Sequence, residues 1–147
     1  MRGTEEIHRR MSLPQWHAWS ALLVVTLAGD ALCFVIAVFG DLTRRYRMPH
    51  IFWWILWLAQ IPLGIQLALG LVLLAEGLRP QTPLHFLYGG LVVATVAALF
   101  ALRPGSAARR VLVRDEASYR ESRWVGLLCL FLLSLVGRAY MTGTLGH

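Results

Sequence analysis

Polar positions interrupt this chain at only a few points, and what lies between them falls into one length class. Predominantly apolar stretches cover Gln15–Gly40, Pro49–Glu76, Pro83–Leu102 and Trp124–Met141. A hydrocarbon core about 30 Å thick is crossed by roughly 20 helical residues, and each stretch meets or approaches that length. The pattern predicts an all-α integral membrane protein with four transmembrane helices. The short link GLRPQT between the second and third spans calls for antiparallel neighbours, so the expected architecture is an up-down-up-down four-helix bundle.

The intervening segments are expected to do less. Residues 41–48 and 103–123 form the two longer loops of a single membrane domain covering 1–147. The second of these, RPGSAARRVLVRDEASYRESR, is long enough for a short interfacial helix with Ala108, Val111 and Leu112 on one face and arginines around them; a disordered or partner-docked loop is the alternative. The N-terminal TEEIHRR pairs an N-cap threonine with two first-turn acids, which predicts a brief surface helix. The first apolar stretch is too long and too aromatic at its start for a cleavable signal, so it is expected to be retained. Pro62 is expected to kink the second span.

Composition agrees. With 57% hydrophobic and 15% charged residues among 147, no soluble domain of useful size remains. All fourteen basic residues are arginine, and they are unevenly placed. Nine lie in the loops after spans one and three, against five on the opposite side. By the positive-inside rule both termini are expected outside and the arginine-rich loops in the cytoplasm, as for a bacterial inner-membrane protein. The net charge of +6 does not point to nucleic acid, because the arginines flank spans instead of forming a face interleaved with aromatics. His50, behind Arg44, Arg45 and Arg47, is expected among anionic headgroups. The six tryptophans fall mostly near span ends, as an interfacial belt predicts.

Candidate chemistry lies in the few polar groups inside the spans, where ionisable side chains are costly. These are His17, Asp30, Glu76, His85 and Arg138, with Gln60 and Gln66 as uncharged companions. His17 and His85 open spans that run in the same direction, so both are expected near the outer face. Diagonal helix axes in such a bundle lie roughly 11–14 Å apart, which lets two inward imidazoles hold one iron as in haem b. Ala21 and Gly89, each at i+4, leave clearance for a flat macrocycle. Arg138 approaches the same rim and suits a propionate, unless Glu76 pairs with it. The competing reading makes these hydrogen-bonding or water-facing histidines above a Gly89–Gly90 packing notch, with quinone as a further candidate ligand.

Asp30 is expected to find Gln60 as an interhelical hydrogen-bond partner; with Gln66 these are also the only groups available to a proton path. Cys33 and Cys129 fall inside spans without disulfide or thiolate–metal spacing. No nucleophile–base pair, phosphate loop or H-E-x-x-H pattern appears, so independent enzymatic activity is not expected.

QIPLGIQLALGLVLL followed by LHFLYGGLVVATVAALFAL resembles the helix pair of small haem-b membrane proteins, such as the cytochrome b561-like group or one half of a haem A synthase. The resemblance covers roughly 40 of 147 residues. It implies that His85 ligates haem, with His17 as the opposite ligand. A second well-placed histidine pair is lacking, so two stacked haems are not implied. The expected function is that of a small subunit of a respiratory or other energy-transducing membrane complex, working beside other membrane subunits and lipid. The alternatives are a cofactor-free structural or assembly protein and a small transporter or channel.

Overall fold

The structure, a computed structural model, describes residues 20–80 and 82–144. It contains five helices: α1 Ser20–Leu42, α2 His50–Ala75, α3 Pro83–Ala101, α4 Ala107–Leu112 and α5 Glu121–Thr144. All but α4 are long and apolar enough to cross a membrane, with mean hydropathy of 2.5, 2.0, 1.9 and 1.8 in chain order. Helix is the natural answer to such runs, since in lipid every backbone N–H and C=O must be satisfied within its own segment. Hydroxyls inside the spans follow the same rule. Thr26, Thr95 and Ser134 each donate to the carbonyl four residues earlier, at 2.9, 2.7 and 3.0 Å.

The spans do not pack equally. On α1 the buried positions are Leu23, Thr26, Asp30, Cys33, Ala37 and Gly40, spaced alternately by three and four. On α5 the same spacing runs through Ser122, Val125, Cys129, Leu132 and Val136. Such a repeat keeps one narrow seam facing a partner along its length, and α1 and α5 are each other's partner. α2 also packs against α1, and α3 against α5. The spans therefore stand in the order α2, α1, α5, α3. α2 and α3 meet where Trp57 stacks on Phe100 at 4.0 Å, but they share no extended interface. The four-helix set is open on that side.

Several expectations change in detail. α5 begins at Glu121 and ends at Thr144, beyond the expected 124–141 at both ends, and α1 continues to Leu42. Pro62 lies inside α2, which continues on both sides of it. Thr82 occupies the N-cap position of α3 with Pro83 next, yet its hydroxyl makes no capping bond and is buried without a partner among the described residues. The turn after α1 closes with Arg44 at a left-handed φ of 57° and Arg45 N–H donating to Gly40 O at 2.8 Å. This is a helix-ending motif that usually uses glycine. The proposed N-terminal surface helix lies outside the described residues.

Candidate functional site

Polar side chains gather at three levels. At the middle of the α1–α2 interface, Gln60 Nε2 donates to Asp30 Oδ1 at 2.7 Å. Asp30 is fully buried and Gln60 nearly so. One turn of logic explains the site: Gly29 lets α2 come so close that a Cβ placed there would lie 2.6 Å from Ala59 Cβ, which brings the adjoining Asp30 and Gln60 into reach. Asp30 Oδ2 and Gln60 Oε1 have no hydrogen-bond partner among the described residues. The expected partnership thus forms, as a single bond between two side chains.

At the end of the bundle where α3 begins, His85 Nδ1 lies 3.1 Å from Ala139 O on α5. A histidine that donates Nδ1–H to a carbonyl is held in the tautomer whose acceptor nitrogen is Nε2, the orientation used by histidines that ligate iron through Nε2. Arg138 is adjacent to the accepting residue and exposed. The ion pair weighed between Glu76 and Arg138 does not form; Glu76 is exposed at the end of α2, and neither has an ion-pair partner among the described residues. Nor do Gly89 and Gly90 form a packing notch among the described residues: a Cβ at either position meets none of them within 4 Å. His17 lies outside the described residues, so the His17–His85 pairing has no geometry to report. No group of three or more potential metal ligands occurs among the described residues.

The third level, at the arginine-rich end, holds most of the polar contacts and was the least apparent from sequence. Ser106 caps α4 by accepting from Arg109 N–H at 3.1 Å. That short helix aims the Arg109 side chain inward, where it is only 4% exposed. Its guanidinium donates to both carboxylate oxygens of Glu116 at 2.9 and 3.0 Å, to Glu121 Oε2 at 2.8 Å and to Leu102 O at 2.9 Å. Its Cζ lies 5.0 Å from the centre of the Tyr119 ring. Glu121, itself buried, accepts from Met48 N–H at 3.3 Å. One arginine thereby ties the end of α3, the start of α5 and the loop leading into α2. A buried guanidinium of this kind is tolerated because two carboxylates and a carbonyl surround it.

Arg109 also sets the electrostatics outside the spans. Its hydrogen bonds are the main reason the Glu116 carboxyl sits below its ordinary value, and Glu116 in turn keeps the guanidinium firmly charged. Burial pushes the Tyr119 phenol up. The short helix expected in this loop forms as α4, with Ala108, Val111 and Leu112 exposed, Val111 at 77%, while Arg109 alone of its arginines is buried. The signal that could have singled out Arg109 is the pair of acids, Glu116 and Glu121, in a loop otherwise rich in arginine. No protein family, characterised protein or solved structure matches the chain.

Proposed function

We propose that the chain is a small integral membrane subunit that docks, through α2 and α3, against the transmembrane helices of a partner in a larger complex. The observation that carries this reading is the unequal burial of the spans: α2 and α3 bury 11% and 17% of their apolar windows, against 28% and 33% for α1 and α5. No residue of α2 beyond Gln60 is buried, and none of α3 before Val92. The uncovered faces carry Gly64 with Ala68 and Gly90 with Ala94, all exposed. Small residues four apart let helix backbones approach closely in lipid, where packing takes the place of the hydrophobic drive. In this reading the spans alternate up and down, with the arginine-rich end in the cytoplasm of a bacterial cell.

The test compares particle size in native membrane extracts by gentle solubilisation and native electrophoresis. Gly90→Leu with Ala94→Leu should shift the chain to a smaller particle, while Val35→Leu, on the exposed face of α1, should not. An unchanged particle for the docking-face variant removes the proposal.

A second reading adds one haem b at the His85 rim in an energy-transducing complex, supported by the Nδ1–Ala139 anchor and the open Gly89–Gly90 surface beneath it. His85 and His17 would hold the iron, Arg138 would meet a propionate, and the bound group would supply one-electron chemistry. Absorption spectra of the oxidised and dithionite-reduced protein after haem-supplemented expression test it; lack of a Soret band eliminates this reading and leaves the docking one standing.

A further inference from the structure

The two arginine-rich loops meet in a groove that neither reading above uses. Its volume is about 670 Å³, within the usual size of a small-ligand site, and Arg45, Arg47, Glu116, Ser118, Tyr119 and Arg120 line it. We propose that this groove is a phosphate-binding site that takes the headgroup of an anionic phospholipid.

Charge comes first. Three guanidinium groups face one carboxylate, and that carboxylate is already spanned by both prongs of Arg109. Arg47 reaches Glu116 only loosely, at 3.7 Å to the carboxylate and 3.3 Å to the backbone carbonyl. Arg45 has no ion-pair partner among the described residues. The groove is therefore cationic after its internal pairing is counted.

Donor geometry points the same way. Arg120 lies over the Tyr46 ring at 4.8 Å. The Arg120 guanidinium makes no ion pair among the described residues, so its N–H donors are available to an oxyanion. The Tyr119 ring rests against Arg109 and lines the groove beside it. Arginine forks match phosphate oxygens in pairs.

Position selects the source of the phosphate. The groove sits at the level where α1 ends at Leu42, α2 begins at His50 and α5 begins at Glu121. Three apolar helices reach the bilayer boundary together there, which is the depth of lipid headgroups. The inference does not depend on which partner, if any, covers α2 and α3.

Native mass spectrometry of the full chain, released from nanodiscs of phosphatidylcholine with a minor fraction of phosphatidylglycerol, tests it. Wild type should retain phosphatidylglycerol, and Arg45→Gln with Arg120→Gln should retain it about thirtyfold less, the scale expected for two arginines near a lipid surface. Arg44→Gln, on the same loop but outside the groove, should retain it as wild type does. If the double variant fails to fold, Arg45→Gln alone reads the same groove through one exposed arginine, and should also retain less lipid. A parallel titration with inorganic phosphate in pure phosphatidylcholine nanodiscs, followed by phosphorus NMR, separates the sources. Phosphate binding without phosphatidylglycerol retention would assign the groove to a soluble phosphate and overturn the lipid. Equal loss in Arg44→Gln, or binding of neither probe, would overturn the site.

Discussion

Gln60 donates to Asp30 across 2.7 Å at the place where α1 and α2 come closest. The bond is solitary, since the remaining oxygen of each side chain has no partner among the described residues. Removing one member leaves the other buried with nothing in its place. Gln60→Leu should therefore cost about 1–2 kcal/mol, near the upper range for polar contacts between membrane helices. Asp30→Leu combined with Gln60→Leu should recover part of that loss. Reversible unfolding in mixed detergent micelles measures both; a double variant less stable than the single one would contradict the account.

Gly29 and Gly89 look alike in the sequence of a membrane helix, but their surroundings differ. Gly29→Ala forces a Cβ to within 2.6 Å of Ala59 Cβ and should destabilise by about 1–3 kcal/mol, as overpacking does. Adding Ala59→Gly should restore stability. Gly89→Ala meets open space and should leave stability unchanged. The same thermal or denaturant transitions report all three variants.

Arg109→Met leaves Glu121 buried without its cation. The expected cost is about 3 kcal/mol or more, because an uncompensated buried charge is worse than either a pair or an apolar replacement. Arg109→Met with Glu121→Leu should be milder than the single change. Similar stability for the two variants would mean that Glu121 finds water or another partner when Arg109 is gone.

Acid should open the loop between α4 and α5. The Glu116 carboxyl is depressed in the folded protein, chiefly by its bond to Arg109, so the stability it contributes is complete above its unfolded value near 4.3 and drains away as pH falls through the lower folded value. Hydrogen exchange of residues 113–120 in nanodiscs, followed from about pH 6 to about pH 3 and corrected for intrinsic rates, should show protection falling in that window. Glu116→Gln should begin with less protection and lose the pH dependence.

Much of the fold was legible because its causes are local. Four apolar lengths suffice for four spans, and a carboxylate in mid-membrane with Gln60 at similar depth on the next span suggests a hydrogen bond. What escaped had no local signature. His85 anchors on the carbonyl of Ala139, and any residue type offers a carbonyl. Arg109 is one of six arginines between α3 and Trp124, and only the turn set by Ser106 distinguishes the one that points inward. The openness between α2 and α3 was equally hidden. Loop length says that two helices are consecutive; whether they pack depends on which faces the other two spans already occupy.

The order α2, α1, α5, α3 has a consequence for how the protein is made. The pair at its centre joins the first and last of these four spans in chain order, so α3 has only the Trp57–Phe100 contact with α2 to rest on until α5 has been inserted. For most of that interval the bilayer holds one packed pair, α1 with α2, and a third helix with little of its surface covered. Insertion of α5 then completes two interfaces at once. A chain that stalls before that step presents the membrane's quality control with a buried-type seam on α1, including Cys33 and Ala37, turned toward lipid.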